Sequence, residues 1–225
     1  MQIQLDKYFD KVIVINSRQR PDRLRDMTER FKSLGMVKDH FEFTEKYKFE
    51  AIWGGHLDVS KLPISYQKGL NNGEIGCYLS HLQIYKQIVE NGWQKTLILE
   101  DDALFTQSFF DWFEKQYELL PEDFDMWFLG RGNYDYENQK KGQKELEMFG
   151  VVKEIGNGLY ESKRNWLTHA YVLNVKCAQY LYDNVSKDMY LTVDGVLADV
   201  QENLNVYSSN PSIIIQDSKS RSSLR

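Results

Sequence analysis

Three consecutive acids, Glu100-Asp101-Asp102, come directly after the short run Thr96-Leu97-Ile98-Leu99. Such a run is typical of a buried strand in a parallel sheet, and open α/β sheets bind ligands beyond the carboxyl ends of their strands. Adjacent carboxylates repel one another unless a cation or hydrogen-bond donors compensate them. Because carboxylate oxygens suit Mn²⁺ or Mg²⁺, these residues predict a divalent-cation site that carries a phosphate-bearing substrate. An acidic turn that opens the next helix is the alternative.

Several enzyme classes place acids at the end of an apolar strand. A P-loop nucleotide hydrolase also needs the glycine-rich motif G-x-x-x-x-G-K-[ST], which the chain does not contain. A glycosidase needs a second carboxylate across the sugar, and the sequence does not identify that partner. A nucleotide-sugar transferase needs a cation at its diphosphate leaving group and a base for the acceptor hydroxyl, so it matches the acids most directly.

Composition narrows the class of protein. The chain has 225 residues, 42% of them hydrophobic, which is enough core for one domain spanning residues 1–225. A formal net charge of −5 gives no electrostatic footprint for nucleic acid, so we expect no nucleic-acid partner. The two cysteines, Cys77 and Cys177, do not form a disulfide framework. We expect a cytoplasmic protein because the sequence shows no signal-peptide core or membrane-spanning run, and peripheral contact with a membrane stays open.

Strands and helices alternate along the chain, which predicts an α/β fold with a mostly parallel, Rossmann-like sheet flanked by helices. A first strand is expected at 12–15, followed by a helix that begins near Pro21 and ends at Gly35. The longest predicted helix begins at Gly73 and ends at Asn91-Gly92. Further strands are predicted within 41–52 and at 96–99, 126–129, 167–173 and 212–215, and further helices through 109–120, 175–185 and 193–204. The polar stretch 131–150 is predicted to form a surface loop or hairpin, a candidate lid.

Several segments of the chain resemble one family of enzymes. The segment GEIGCYLSH at residues 73–81 is followed by a predicted helix and then by the strand that ends in the three acids. Residues 12–23 (VIVINSRQRPDR), 168–172 (THAYV) and the pair Val193-Asp194 are also similar to segments of that family. The chain thus resembles glycosyltransferase family 25, which includes bacterial lipooligosaccharide galactosyltransferases and the collagen galactosyltransferases. Two regions depart from the pattern: 49–55 lacks the family's aspartate, and 130–165 matches no part of it.

The resemblance implies a GT-A type fold and the inverting transfer of galactose, or a similar hexose, from a UDP-sugar with Mn²⁺ as cofactor. The acceptor would be a glycan, a glycolipid or a protein. Residues 1–130 would bind mainly the nucleotide sugar, and residues 131–225 would form mainly the acceptor side and the C-terminal tail. Two alternatives stay open: a transferase that uses UDP-glucose or a UDP-N-acetylhexosamine, and a non-catalytic nucleotide- or carbohydrate-binding domain of the same fold.

The resemblance also suggests which residues act. Asp102, Glu100 and His169 are assigned to the metal. The predicted contacts to the donor are Asn16, Arg18, Arg23, Glu74, Ser80, His81, Glu100 and Asp101. Asp194 is the first candidate for the general base and Asp199 is the second. Structural alternatives accompany these roles, namely a helix cap for Glu74, packing for Ser80 and His81, a buried strand position for His169 and an exposed helix start for Asp194.

Overall fold

Strands and helices alternate through most of the protein, of which a computed structural model describes residues 3–62, 69–131, 150–185 and 189–217. The strands are β1 (Lys11–Asn16), β2 (Lys48–Glu50), β3 (Lys95–Glu100), β4 (Ala103–Phe105), β5 (Met126–Phe128), β6 (Val151–Gly156), β7 (Leu159–Ser162), β8 (Ala170–Asn174), β9 (Val206–Ser209) and β10 (Ile214–Gln216). The α-helices are α1 (Pro21–Ser33), α2 (His40–Lys46), α3 (Asn72–Asn91), α4 (Gln107–Leu119), α5 (Val175–Val185) and α6 (Val193–Val200).

One large sheet has the strand order β2-β1-β3-β8-β5-β9-β7-β6, and β4 pairs with β10 in a small second sheet. β1 is parallel to both β2 and β3, whereas β8 runs antiparallel between β3 and β5. β9 is parallel to β5, and β7 and β6 complete that side with antiparallel pairs. The predicted α/β fold class is therefore confirmed. The sheet is mixed, and its parallel part holds β1 and β3 side by side.

Helices cover both faces of the large sheet. On one face α1, α2 and α4 bury a largely aromatic layer, and on the other α3, α5 and α6 bury a second layer. The first layer includes Met27, Phe31, Phe43, Phe109, Phe113 and Trp127. The second layer includes Ile75, Tyr78, Ile84, Ile88, Leu181 and Leu197. Burial of one such side chain contributes about 1.5–3 kcal/mol, so the two layers hold the strands that carry the acids in fixed positions.

The strand predicted within 41–52 is confined to β2, and helix α2 occupies most of the residues before it. Asp39 caps α2 with its side chain. Phe43 and Tyr47, four residues apart, pack on Phe31 with ring centroids 5.0 Å from it. Because that spacing matches a helix and not an alternating strand, contact with α1 favours the helix over the predicted strand.

The other predicted elements lie close to the observed ones. The helices expected through 109–120, 175–185 and 193–204 correspond to α4, α5 and α6, and the last predicted strand corresponds to β10. The sequence does not predict β4, β6, β7 and β9. β4 and β9 have three and four residues, too few to show a hydrophobic period. Most of the predicted loop at 131–150 lies at 132–149, outside the described residues.

α3, with 20 residues, mixes apolar and polar side chains along its length. In the part of the chain that the structure describes, no helix combines the length and the apolar character needed to cross a membrane.

Candidate active site

A cleft of about 570 Å³ lies at the carboxyl ends of β1 and β3, beside the first turns of α3. Ile15 of β1 stands opposite Glu100 of β3, so the two parallel strands end at the same edge of the sheet. Glu100, Asp101 and Asp102 all line the cleft, and the remaining walls come from β1, α1, the segment 51–55, α3 and β10. The cleft therefore lies where the sequence predicts ligand binding.

Asp101 is held on both of its carboxylate oxygens by side chains from the first strand and helix. Asn16 Nδ2 donates to Asp101 Oδ2 at 2.7 Å, and Arg23 Nη1 donates to Asp101 Oδ1 at 2.6 Å. All three side chains are buried. Burial raises the pKa of Asp101, against the opposing effects of Arg23 and Asn16. Asn16 and Arg23, predicted to contact the donor, thus bind Asp101 in this structure.

The carboxylate of Asp102 lacks a full set of hydrogen-bond partners among the described residues. Its Oδ2 lies 3.1 Å from Arg23 Nη1 and accepts a hydrogen bond from Gln216 Nε2 at 3.3 Å. Its buried Oδ1 has no hydrogen-bond partner among the described residues. Burial, followed by the negative charge of Glu100, raises the pKa of Asp102 to about 7. A divalent cation with oxygen ligands would compensate such a carboxylate, so these residues fit Mn²⁺ or Mg²⁺.

Glu100 supplies an ionised carboxylate to the same cleft. Thr168 Oγ1 donates to Glu100 Oε1 at 2.6 Å, and His81 Nε2 lies 3.6 Å from that oxygen. Burial acts to raise the pKa of Glu100, but its interactions with His81, together with the Thr168 hydrogen bond, outweigh this effect and lower the pKa. The cleft therefore contains two acids whose pKa values are shifted in opposite directions. Glu100 is charged, whereas Asp102 is easily protonated.

The N-terminus of α3 borders the cleft, and Glu74 caps it. Asn71 Oδ1 accepts from Glu74 N at 3.0 Å, and Glu74 Oε2 accepts from Asn71 N at 2.8 Å. These reciprocal bonds form a capping box. In the structure Glu74 therefore has the capping role that the sequence leaves open.

Ser80 and Gly76 hold the segment 51–55 against α3. Ser80 Oγ accepts from Ile52 N at 2.9 Å and donates to Gly76 O at 2.7 Å. A Cβ at Gly76 would lie 2.5 Å from Ile52 O, so this close approach requires glycine. Ser80, predicted to contact the donor, thus positions the segment that places Trp53 on the cleft wall.

Two predicted site residues lie on the surface, outside the cleft lining. Arg18 is exposed, and its Nε lies 3.1 Å from Glu50 Oε2. Asp199 is 43% exposed at its side chain and lies 4.0 Å from Arg164. The structure does not bring either residue to the acids.

His169 is buried and does not line the cleft. Its Nε2 lies 3.2 Å from Ile214 O, and burial lowers its pKa. Its backbone carbonyl accepts from Glu100 N at 2.9 Å. The structure thus gives His169 the buried position that the sequence names as the alternative to a metal ligand, with its backbone fixing the end of β3.

Asp194 lies in the first turn of α6, where its Oδ1 accepts from Gly195 N at 3.0 Å. It does not line the cleft, but Cys77 does. The pKa of Cys77 is raised by burial first, then by the charges of Glu100 and Asp194. Asp194 therefore lies outside the cleft lining, and its charge adds to the raised pKa of Cys77.

Two residues that contact the acids are missing from the predicted site. Gln216, from β10, contacts Asp102, and no local pattern in the sequence marks it. Thr168, which contacts Glu100, belongs to the family-like segment 168–172, so a signal for it exists. Within that segment the sequence predicts a role for His169 and none for Thr168.

The fold and the cleft define an α/β domain that gathers acids at the carboxyl ends of parallel strands. The chain belongs to glycosyltransferase family 25 (LPS biosynthesis protein), whose family model matches residues 9–197. The match contains β1, α3, β3 and the acids, and it extends into α6. The family resemblance seen in the sequence is thus confirmed.

The relatives include a named galactosyltransferase and a protein named inactive. Procollagen galactosyltransferase 2 of Mus musculus is 29% identical over 205 residues, covering 84% of this chain and 30% of the relative. Inactive glycosyltransferase 25 family member 3 of Homo sapiens is 28% identical over 197 residues, covering 84% of this chain and 31% of the relative. The chain therefore spans about a third of the length of the curated relatives that it matches.

Two solved structures overlap with the chain at low scores. Mannose-1-phosphate geranyltransferase from Thermus thermophilus gives a TM-score of 0.46 at 10% identity, covering 88% of this chain and 73% of that chain. UDP-glucose pyrophosphorylase complexed with UDP-glucose gives 0.43 at 11% identity, covering 88% and 72%. Overlap at these scores carries no functional conclusion.

Proposed function

We propose that this protein is a metal-dependent, inverting glycosyltransferase that moves galactose, or a similar hexose, from a UDP-sugar to a glycan, glycolipid or protein. The observation that carries the proposal is Asp102 Oδ1, a buried carboxylate oxygen without a partner among the described residues, near the ionised Glu100. Membership in glycosyltransferase family 25 supports the class of reaction. The galactosyltransferase among the relatives supports the sugar.

Asp102 and Glu100 are the residues that would hold Mn²⁺ or Mg²⁺. When bound, the ion neutralises the charge that develops on the diphosphate leaving group. A cleft of about 570 Å³ is large enough for a nucleotide sugar, and Trp53 on its wall offers an aromatic face to a base or a sugar ring. Asp101 acts through its contacts with Asn16 and Arg23, which fix the backbone between the two other acids.

The acceptor side needs a carboxylate that takes the proton of the acceptor hydroxyl. That oxygen then attacks the anomeric carbon while the bond between the sugar and the diphosphate breaks. We assign this role to Asp194, whose charge reaches Cys77 in the cleft, and keep Asp199 as the second candidate. The exposure of Asp199 and its proximity to Arg164 favour Asp194.

The exchange Asp194→Asn is expected to abolish transfer while leaving the affinity for UDP within about twofold, because the base acts in the chemical step and not in donor binding. Asp199→Asn is the matched control and is expected to retain transfer. Product formation and calorimetric UDP titration measure the two effects. Weakened UDP binding in Asp194→Asn would assign Asp194 to the donor site instead.

The donor site is tested by titrating UDP into the protein with and without Mn²⁺, followed by a hydrolysis screen of UDP-galactose, UDP-glucose and UDP-N-acetylhexosamines. We expect Mn²⁺-dependent binding, fastest turnover of UDP-galactose, and at least about a hundredfold loss of turnover in Asp102→Ala. Metal-independent binding or no binding argues against the proposal. Undiminished turnover in Asp102→Ala removes this residue from the metal site.

A non-catalytic binding domain is the second candidate, because relatives of this chain are named inactive. It predicts that the protein binds UDP or a sugar but hydrolyses and transfers none of the donors. The intact run Glu100-Asp101-Asp102 favours the enzyme, since a binding domain has no need of a cluster of mutually repelling acids.

A further inference from the structure

Cys77, His81 and Glu100 form a cluster of three different metal-ligating side chains in the cleft. Cys77 and His81 are one turn apart on α3, and Glu100 ends β3. One ligand atom from each residue lies within 4.8 Å of the other two. The proposed donor-cation site at Asp102 uses Glu100 but neither Cys77 nor His81, so these two side chains need their own explanation.

The His81 ring is fully buried, and one of its nitrogens lacks a hydrogen bond. Nδ1 lies 2.7 Å from the hydroxyl of Tyr171, which in turn lies 3.0 Å from the hydroxyl of Tyr85. A tyrosine hydroxyl can accept from Nδ1–H, which leaves the lone pair on Nε2. Nε2 makes no hydrogen bond among the described residues, although it lies 3.6 Å from Glu100 Oε1, and His81 lines the cleft. A fixed imidazole with an unpartnered nitrogen is the usual arrangement of a metal-binding histidine.

Glu100 is oriented toward the same point. Thr168 Oγ1 donates to Glu100 Oε1 at 2.6 Å, which fixes the carboxylate. Zinc bonds of about 2.0–2.3 Å place tetrahedral ligand atoms roughly 3.3–3.8 Å apart. The separation of 3.6 Å between His81 Nε2 and Glu100 Oε1 already matches this spacing. The third ligand atom, Cys77 Sγ, needs to move by no more than about 1 Å to complete the set.

We propose that Cys77 Sγ, His81 Nε2 and a Glu100 oxygen bind a thiophilic divalent cation of the Zn²⁺ class, with a fourth position open to the cleft. The thiol gives its proton to solvent when the cation binds, since the thiolate is the ligand. Mixed sulfur, nitrogen and oxygen ligands favour Zn²⁺ over the hard cations that suit Asp102. A direct ion pair between protonated His81 and Glu100, with no cation, is the competing explanation.

Cobalt substitution tests the proposal, because Co²⁺ bound to a thiolate gives a near-ultraviolet charge-transfer band that oxygen ligands do not give. Co²⁺ is titrated into the full chain, free of any histidine tag. We expect the band in the wild type and in the matched control Cys177→Ser, which removes the only other cysteine. We expect it to vanish in Cys77→Ser, with at least about a tenfold loss of Zn²⁺ affinity. No band in the wild type, or a band that survives in Cys77→Ser, overturns the proposal.

A second measurement needs no variant and therefore holds even if Cys77→Ser fails to fold. Iodoacetamide labelling of Cys77 in the wild type is followed by mass spectrometry with and without Zn²⁺. We expect Zn²⁺ to slow the labelling at least about tenfold, because the bound thiolate is no longer a free nucleophile. An unchanged labelling rate overturns the proposal.

This inference shares Glu100 with the proposed donor-cation site, but its thiolate signal depends on Cys77, which that site does not use. Asp102→Asn is expected to keep the cobalt–thiolate band, whether or not UDP binding depends on Mn²⁺. A band that persists while UDP binds without metal leaves the zinc site standing and removes the transferase proposal. A missing band together with Mn²⁺-dependent UDP binding removes the zinc site and leaves the transferase proposal standing.

Discussion

Arg23 is the side chain that allows three adjacent acids to share one buried edge. Its Nη1 lies 2.6 Å from Asp101 Oδ1 and 3.1 Å from Asp102 Oδ2, and all three side chains are buried. One guanidinium offsets part of the repulsion among three carboxylates and leaves the cluster negative. The same residue thus explains why the fold tolerates the acids and why the cleft still favours a cation.

Replacement of Arg23 by methionine is expected to cost about 3–5 kcal/mol in the free energy of unfolding, because it leaves Asp101 buried without its charge partner. The matched control is Arg18→Met, which removes an 81% exposed guanidinium paired with Glu50. We expect the control to change stability by less than about 1 kcal/mol. Urea denaturation at pH 7 measures both. Equal effects for the two variants would show that Arg23 does not stabilise the cluster.

The pKa of Asp102 predicts how cation binding depends on pH. Because this pKa is raised to about 7, a cation that binds below pH 7 must displace a proton. Mn²⁺ affinity is therefore expected to rise through this range and level off above it, with a Kd about tenfold weaker at pH 6 than at pH 8. Calorimetric Mn²⁺ titrations at several pH values measure this. A flat profile would contradict the role of Asp102, and Asp102→Asn is expected to remove the binding.

At the scale of elements, the cleft depends on how closely α3 approaches the segment 51–55. Gly76→Ala places a methyl group 2.5 Å from Ile52 O, so the helix or the segment must shift. We expect a cost of about 1–3 kcal/mol in unfolding free energy and weaker UDP binding. Gly92→Asn is the control, since Gly92 has φ of +66° and no atom within 4 Å of an added Cβ, and asparagine tolerates this conformation. Unfolding curves and UDP calorimetry measure both effects. Equal stability and equal UDP affinity in the two variants would contradict the role of the close approach at Gly76.

Local signals explain which elements are predictable. α3 has a capping box at one end and Gly92 at the other, and β3 is a continuous apolar run, so both follow from nearby residues. The helical state of 40–46 depends on Phe31 of another helix. The antiparallel insertion of β8 between β3 and β5 depends on strand pairing over long sequence distances. The pairing of β8 leaves no periodic signal in the segment itself, and the single four-residue spacing of Phe43 and Tyr47 is too short a pattern to predict α2.

In the candidate site, too, features with a local sequence signal are predictable and those set by distant contacts are not. The acids and their place at a strand end are predictable, because three carboxylates in a row are conspicuous and the strand before them is apolar. The contacts of Asn16 and Arg23 with Asp101 are not, since sequence separations of 85 and 78 residues hide which polar groups satisfy one another. Residues that look available for a ligand in the sequence are therefore partly used to hold the acids.

For the whole molecule, the raised pKa of Asp102 links stability to cation binding. A carboxyl whose folded pKa lies above its unfolded value of about 4 destabilises the fold as pH rises from about 4 to about 7. A cation that binds the folded carboxylate restores this loss. At a hundredfold excess over its Kd it adds about 2.7 kcal/mol.

We therefore expect saturating Mn²⁺ to raise the Tm at pH 8 by roughly 5–10 °C, since 1 kcal/mol corresponds to about 2–4 °C in a chain of this size. Thermal unfolding followed by circular dichroism measures the shift. Asp102→Asn is the control, and it is expected to show no Mn²⁺ shift and a higher Tm than the metal-free wild type at pH 8. A wild-type Tm that does not change when Mn²⁺ is added would contradict the link between stability and cation binding.

The contacts of Glu100 with Thr168 and of Asp102 with Gln216 have a consequence for folding during translation. A nascent chain that has just emerged through its acids contains Arg23 and Asn16 but lacks both of these later partners. The acids therefore gain their full surroundings only when β8 and β10 have left the ribosome. The acidic edge is therefore expected to reach its folded arrangement only after residue 216 has emerged, and not when the acids themselves emerge.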